Sequence, residues 1–111
     1  MTYKSLGRLE EAEESFRQAL LLQSDYAKAY NNLGTTLEEQ GRLSEAEESI
    51  SRAVELDPDY VEAQNNLGNV LTRLGKYAEA EQTFKQALAL KPENAEVHGN
   101  LGSMFQHDGR L

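Results

Sequence analysis

The chain has no cysteine, no tryptophan and only two prolines in 111 residues. Without cysteine, disulfide scaffolds, thiolate zinc sites and cysteine nucleophiles are excluded, and the redox compartment is left undetermined. Basic residues are also scarce: eleven Lys and Arg stand against nineteen Asp and Glu, for a net charge of -8. A surface of that sign repels nucleic-acid phosphates and anionic lipid headgroups, so neither nucleic acid nor membrane is an expected partner. No apolar run approaches the roughly eighteen residues of a membrane span. The first residues, MTYKSLGRLEEAEE, contain no apolar core of a secretion signal, so a cytoplasmic location is expected. The only histidines, His98 and His107, are nine apart and do not share one helical face. With no G-x-G-x-x-G phosphate loop either, the expectation is a non-enzyme with no catalytic residues, no metal and no cofactor. His98 and His107 are read as structural.

What is abundant is repetition. Residues 27–60 aligned with 61–94, a shift of 34, are identical at 13 of 34 positions, from Ala29 and Asn31 through Gly41 and Ala46 to Leu56 and Pro58. The register extends outward: 1–26 fit the last part of a unit and 95–111 the first half of another. One domain built of a partial repeat, two full repeats and a second partial repeat accounts for the whole sequence.

Each unit reads as two helices. The first carries an i, i+4 stripe around a glycine: Leu33, Gly34 and Leu37, then Leu67, Gly68 and Leu71, then Leu101, Gly102 and Phe105. A glycine inside a helix costs about 1 kcal/mol relative to Ala, and close approach of a neighbouring helix is the expected reason for accepting that cost. The second helix carries small residues around one large one: Ala12, Phe16 and Ala19, then Ala46, Ile50 and Ala53, then Ala80, Phe84 and Ala87. Gly7, Gly41, Gly75 and Gly109 suit left-handed helix ends, and Asp57-Pro58 and Lys91-Pro92 suit breaks after the second helix. The predicted helices span 10–23, 26–40, 44–56, 60–74, 78–90 and 94–108. Glutamates 10, 11, 13, 14, 45, 47, 48, 79 and 81 are expected to open second helices on a solvated outer face.

A period of 34 with two helices per period resembles the tetratricopeptide repeat family. The resemblance is carried by Tyr30, Leu33, Gly34, Leu37, Ala46, Ile50 and Pro58, and again by Leu67, Gly68, Leu71, Ala80, Phe84 and Pro92. It departs at Gln64 and His98, where an aromatic is expected, and at Ser24, where the closing proline is expected. The resemblance implies an all-α, right-handed superhelical solenoid of antiparallel helix pairs whose first helices line a groove that binds peptides or other proteins. The Asn-Asn-Leu-Gly motifs at 31–34 and 65–68, with Gly-Asn-Leu-Gly at 99–102, are similar to the asparagine ladder in the repeat region of O-linked N-acetylglucosamine transferases.

The candidate groove residues are Asn32, Asn66 and Asn100, flanked by Asn31, Asn65, Thr35, Asn69, Ser103, Lys28 and Arg73. A side-chain amide both donates and accepts, so a ladder of amides can pair with the backbone of an extended peptide. The same asparagines could instead bridge helices or face water, and their recurrence does not choose between these roles. The carboxylate clamp that some family members use on acidic chaperone tails would need basic residues beside the Asn-Leu-Gly positions. Asn31, Asn65 and Gly99 stand before them, and Thr35, Asn69 and Ser103 after, none of them basic. The expected function is a protein-protein interaction module. Both sequence ends fall inside a repeat without a polar capping helix, so a repeat segment of a larger, glycosyltransferase-like enzyme is the alternative. A third possibility is head-to-tail self-association through Phe16, Leu101 and Phe105.

Overall fold

A computed structural model describes residues 3–109, with side chains from Gly7 onward. Among these residues the chain forms six helices: α1 (Tyr3–Leu22), α2 (Ala27–Glu39), α3 (Leu43–Leu56), α4 (Val61–Arg73), α5 (Tyr77–Leu90) and α6 (Ala95–His107). They divide into two compact units, the first running to Pro58 with α1, α2 and α3, the second starting at Asp59 with α4, α5 and α6. The α2/α3 and α4/α5 pairs are antiparallel. No helix among the described residues is long and apolar enough to cross a membrane.

The turn inside each pair follows from its glycine. Gly41 and Gly75 have φ of 80° and 78°, a left-handed conformation that side chains with a Cβ resist. The Gly41 amide donates to the Glu38 carbonyl and the Arg42 amide to the Leu37 carbonyl, both at 2.9 Å, satisfying two orphan carbonyls at the end of α2. Gly75 and Lys76 repeat the arrangement on Thr72 and Leu71. After the second helix of each pair, Asp57 and Lys91 adopt extended φ of -139° and -136°, as the proline that follows each of them favours.

Gly7 does not take part in this scheme. It lies inside α1, which begins at Tyr3 rather than near residue 10. The described residues on both sides of Gly7 continue one helix, so no turn forms there. Glu10, Glu11, Glu13 and Glu14 therefore sit within a helix and do not open one.

Packing within each unit explains the small residues. In the first unit, a Cβ placed on Gly34 would lie 2.9 Å from Ile50 Cδ1, with Ile50 Cγ1 closer still, and 3.3 Å from the Ala46 carbonyl oxygen. In the second, a Cβ on Gly68 would meet the Phe84 ring, 2.6 Å from Cζ and 2.8 Å from Cδ1. Ile50 and Phe84 are fully buried, and Ala46, Ala53, Ala80 and Ala87 around them show no exposure. Each pair is thus one large side chain seated on a glycine, with alanines allowing the backbones to approach. Gly102 differs: a Cβ there would meet nothing within 4 Å, because no described helix lies against that side of α6.

Gly68→Leu should lower stability by at least about 1–3 kcal/mol, since the added side chain must displace a fully buried ring from a closely packed site. Urea unfolding measures this, and an unchanged midpoint would mean that Phe84 is not seated on Gly68.

Candidate functional site

In the second unit the first helices α4 and α6 are joined by asparagine. Asn100 Nδ2 donates to Asn65 Oδ1 at 2.9 Å, and Asn65 Nδ2 donates to Glu96 Oε1 at 3.2 Å. Both polar ends of one buried amide are thereby satisfied by the neighbouring helix, which fixes the register of α6 on α4. Asn65 is 5% exposed and its counterpart Asn31 in the first unit 1%. Both were expected to line the groove; instead they are interior residues. Each lies three residues before the packed glycine, Gly34 or Gly68, and that spacing places it on the packed side of its helix. Asn100, also expected in the ladder, has one amide hydrogen committed to the Asn65 bridge.

The remaining candidates lie nearer solvent. On α4, Asn66 and Asn69 are half-buried and Arg73 is exposed; on α6, Asn100 is half-buried and Ser103 exposed. The positions 66, 69 and 73 follow one helical stripe, as do 100, 103 and 107. In the first unit, Asn32 and Thr35 on α2 are half-buried and Lys28 is exposed. The Asn32 carbonyl accepts from Thr35 Oγ1 at 3.0 Å and from Thr36 Oγ1 at 2.9 Å. These hydroxyls turn back on their own helix, which leaves Thr35 a weaker candidate than the side-chain amides.

The histidines do not behave as packing residues. His98 is exposed, with Nε2 2.8 Å from the Pro92 carbonyl oxygen, and His107 is exposed, with Nδ1 2.7 Å from the Ser103 carbonyl oxygen. Gln64, at the matching aromatic position of α4, is buried. No group of three or more His, Asp or Glu among the described residues is arranged to hold a metal ion.

The first unit contains a charged cluster at Glu13, a position where charge spacing predicts only a solvated face. Glu13 of α1 accepts from Arg42 at 2.7 Å, from Arg17 at 2.9 Å and from Gln40 at 3.3 Å, while Arg42 also donates to Glu45. The cluster ties α1 to the α2–α3 turn across a separation of 29 residues, a pairing invisible to i, i+4 charge patterns. Partial burial pushes the Glu13 carboxyl up, but the hydrogen bonds from Arg17, Arg42 and Gln40 outweigh it and hold the pKa below the ordinary carboxylate value. Glu45 is held down as well, chiefly by its hydrogen bond from Arg42.

The Tetratricopeptide repeat family profile matches residues 1–59 and 25–93. The chain belongs to the tetratricopeptide repeat family. No curated protein matches the sequence. Among solved structures, the second repeat domain of human RPAP3, in complex with the HSP70 peptide SGPTIEEVD, is 27% identical, with a TM-score of 0.84 over 92% of this chain and 85% of that one. The Arabidopsis OM64 repeat domain is 26% identical, with a TM-score of 0.85 over 95% of this chain and 86% of that one. Thermobaculum terrenum O-GlcNAc transferase is 29% identical, with a TM-score of 0.84 over 90% of this chain, which spans 19% of that protein.

Two predictions follow from the polar contacts. Asn100→Ala should cost about 1–3 kcal/mol of stability by leaving the buried Asn65 oxygen without this donor; equilibrium unfolding in urea measures it, and a loss below about 0.5 kcal/mol would show that the bridge is energetically idle. For Glu13, a depressed folded pKa means that its stabilising contribution is present above the unfolded carboxylate value and is lost as pH falls through the folded value. The wild-type urea midpoint should therefore drop on acidification below about pH 4, and Glu13→Gln should begin lower at neutral pH and fall less. Parallel pH profiles for the two proteins would remove Glu13 from that role.

Proposed function

We infer that this repeat chain is a protein-protein interaction module that holds an extended segment of a partner through side-chain amides on its first helices, and that it is not an enzyme. The observation carrying this reading is the fixed juxtaposition of α4 and α6. The Asn65 bridge sets one helix against the other, and the half-buried amides of Asn66 and Asn69 stand on α4 beside a helix presenting Asn100 and Ser103. Amides held in register can donate to and accept from a peptide backbone without selecting its side chains, and rigid placement lowers the entropic cost of binding. The RPAP3 domain, alike in fold, was solved with a bound peptide. A cytoplasmic setting belongs to the same reading.

The partner's chemistry differs from the acidic chaperone tail. Asn31, Asn65, Gly99, Thr35, Asn69 and Ser103 supply no cation beside the Asn-Leu-Gly positions, so a peptide rich in carboxylates has nothing there to pair with. A neutral or mixed extended segment fits better. A second reading, favoured by the likeness to the O-GlcNAc transferase and by the repeated Asn-Asn-Leu-Gly motif, is that the same face presents protein substrate to a glycosyltransferase. Both readings use the same amides.

The test selects peptides from a random displayed library on the 111-residue chain and measures the winners by fluorescence anisotropy. Asn66→Ala with Asn69→Ala should weaken binding roughly five-fold to a hundred-fold, about 0.5–1.5 kcal/mol for each lost amide pairing, and should change stability less than it changes affinity. Asn100 is left intact because its loss disturbs the α4–α6 bridge. Equal affinity in the double variant, or tight and salt-sensitive binding of SGPTIEEVD by the wild type, would overturn the reading.

A further inference from the structure

The amides assigned to peptide binding in the second unit lie between two flanks of opposite charge. On α4, Glu62 stands four residues before Asn66 and Arg73 four residues after Asn69, all on one helical stripe, and both charged residues are exposed. On α6 the same places hold Glu96 before Asn100 and His107 after Ser103, again both exposed. At 1.5 Å per residue, each end of the stripe is about 6 Å along the helix from the polar side chain next to it. The Asn65 contacts to Glu96 and Asn100 hold α6 in register with α4. Carboxylates therefore share one flank of the strip of amides, and Arg73 and His107 share the other. On α4 the stripe is open with α6 already packed beside it, so this is not the side by which first helices cover one another. Acid at the start of a helix and base at its end also suit the helix dipole. The dipole does not dictate the stripe, however, because α2 carries the reverse, Lys28 before Asn32 and Glu39 after Thr35.

An extended chain carries its N–H and C=O groups in one plane and its side chains perpendicular to that plane, alternating between two sides. When such a chain crosses α4 and α6 with its backbone groups aimed down at Asn66, Asn69 and Asn100, its side chains point along the helix axes. Every second one reaches toward the carboxylates, and those between reach toward Arg73 and His107. Side chains on one side recur roughly every 7 Å, against a helix spacing of about 8–10 Å, a difference that flexible Lys, Arg and Glu side chains span. We propose that the α4–α6 face selects an extended segment of alternating charge, with Lys or Arg at every second position facing Glu62 and Glu96, and Asp or Glu between them facing Arg73 and His107. The proposal rests on the peptide-binding reading and adds the side-chain pattern that backbone-pairing amides do not choose.

The experiment compares two labelled peptides of the same length, composition and zero net charge, with both ends blocked: six Lys-Glu repeats, and three Lys-Lys-Glu-Glu repeats. In extended form the first puts every Lys on one side and every Glu on the other, whereas the second mixes both signs on each side. Fluorescence anisotropy with the 111-residue chain should show the alternating peptide bound roughly three- to ten-fold more tightly, the scale of a few exposed ion pairs. The preference should vanish in about 0.5 M sodium chloride, where such pairs are screened. It should vanish as well in the double variant Glu62→Gln with Arg73→Gln, whose helical ellipticity and thermal midpoint should match the wild type because both positions are exposed. Glu96 is left intact because it accepts from Asn65. Asn66→Ala with Asn69→Ala should weaken both peptides and keep their ratio. Equal affinity for the two peptides, or a preference that survives in the folded Gln variant, would overturn the proposal. So would failure of both peptides to bind at millimolar concentration; library-selected peptides that still bind, and that lose affinity with Asn66→Ala and Asn69→Ala, would then leave the peptide-binding reading standing without it.

Discussion

The constraint on which both units depend is the close approach of two helices at a residue without a side chain. At Gly34 and Gly68 the partner helix places Ile50 or Phe84 where any Cβ would have to stand. Helices can come this near only if the residues around the contact are small, which is why alanine rather than leucine occupies positions 46, 53, 80 and 87. The helical cost of an internal glycine is about 1 kcal/mol, less than the gain from burying a large apolar side chain completely. The left-handed glycines then reverse the chain within a few residues, so the second helix returns along the first.

Polar groups act on top of this packing and fix which helix faces which. The Asn65 bridge satisfies a buried amide only when α6 carries both Glu96 and Asn100 at the contact, which specifies register in a way that apolar packing does not. The Glu13 cluster performs the corresponding task for α1, using charge where the second unit uses amides. Its carboxylate stays ionised because three donors outweigh the effect of partial burial. Asn66, Asn69 and Ser103 stand on helices that these other residues hold in register.

Much of the fold was legible in the sequence because it is written twice. The period of 34, the helix-glycine-helix order and the proline-terminated second helices all rest on local rules of spacing, and those rules operate within a few residues of one another. The glycine stripe also announced a close contact correctly at Gly34 and Gly68. Gly7 misled because a glycine at the right spacing is compatible with a helix interior as well as with a left-handed turn, and here α1 runs through it.

Sequence by itself therefore determined the all-helical class, the repeat and the residues able to meet between paired helices, since each depends on short-range periodicity. Tertiary structure alone decided which asparagines are interior and which remain near solvent. Asn31 and Asn32 are chemically identical neighbours, yet the turn of about 100° between successive helical residues buries one and half-exposes the other. It also decided that Glu13 is bound to Arg42, because that pairing spans 29 residues and exists only once α1 lies beside the α2–α3 turn. Composition and spacing register what a residue can do; burial and the arrival of a distant partner determine what it does.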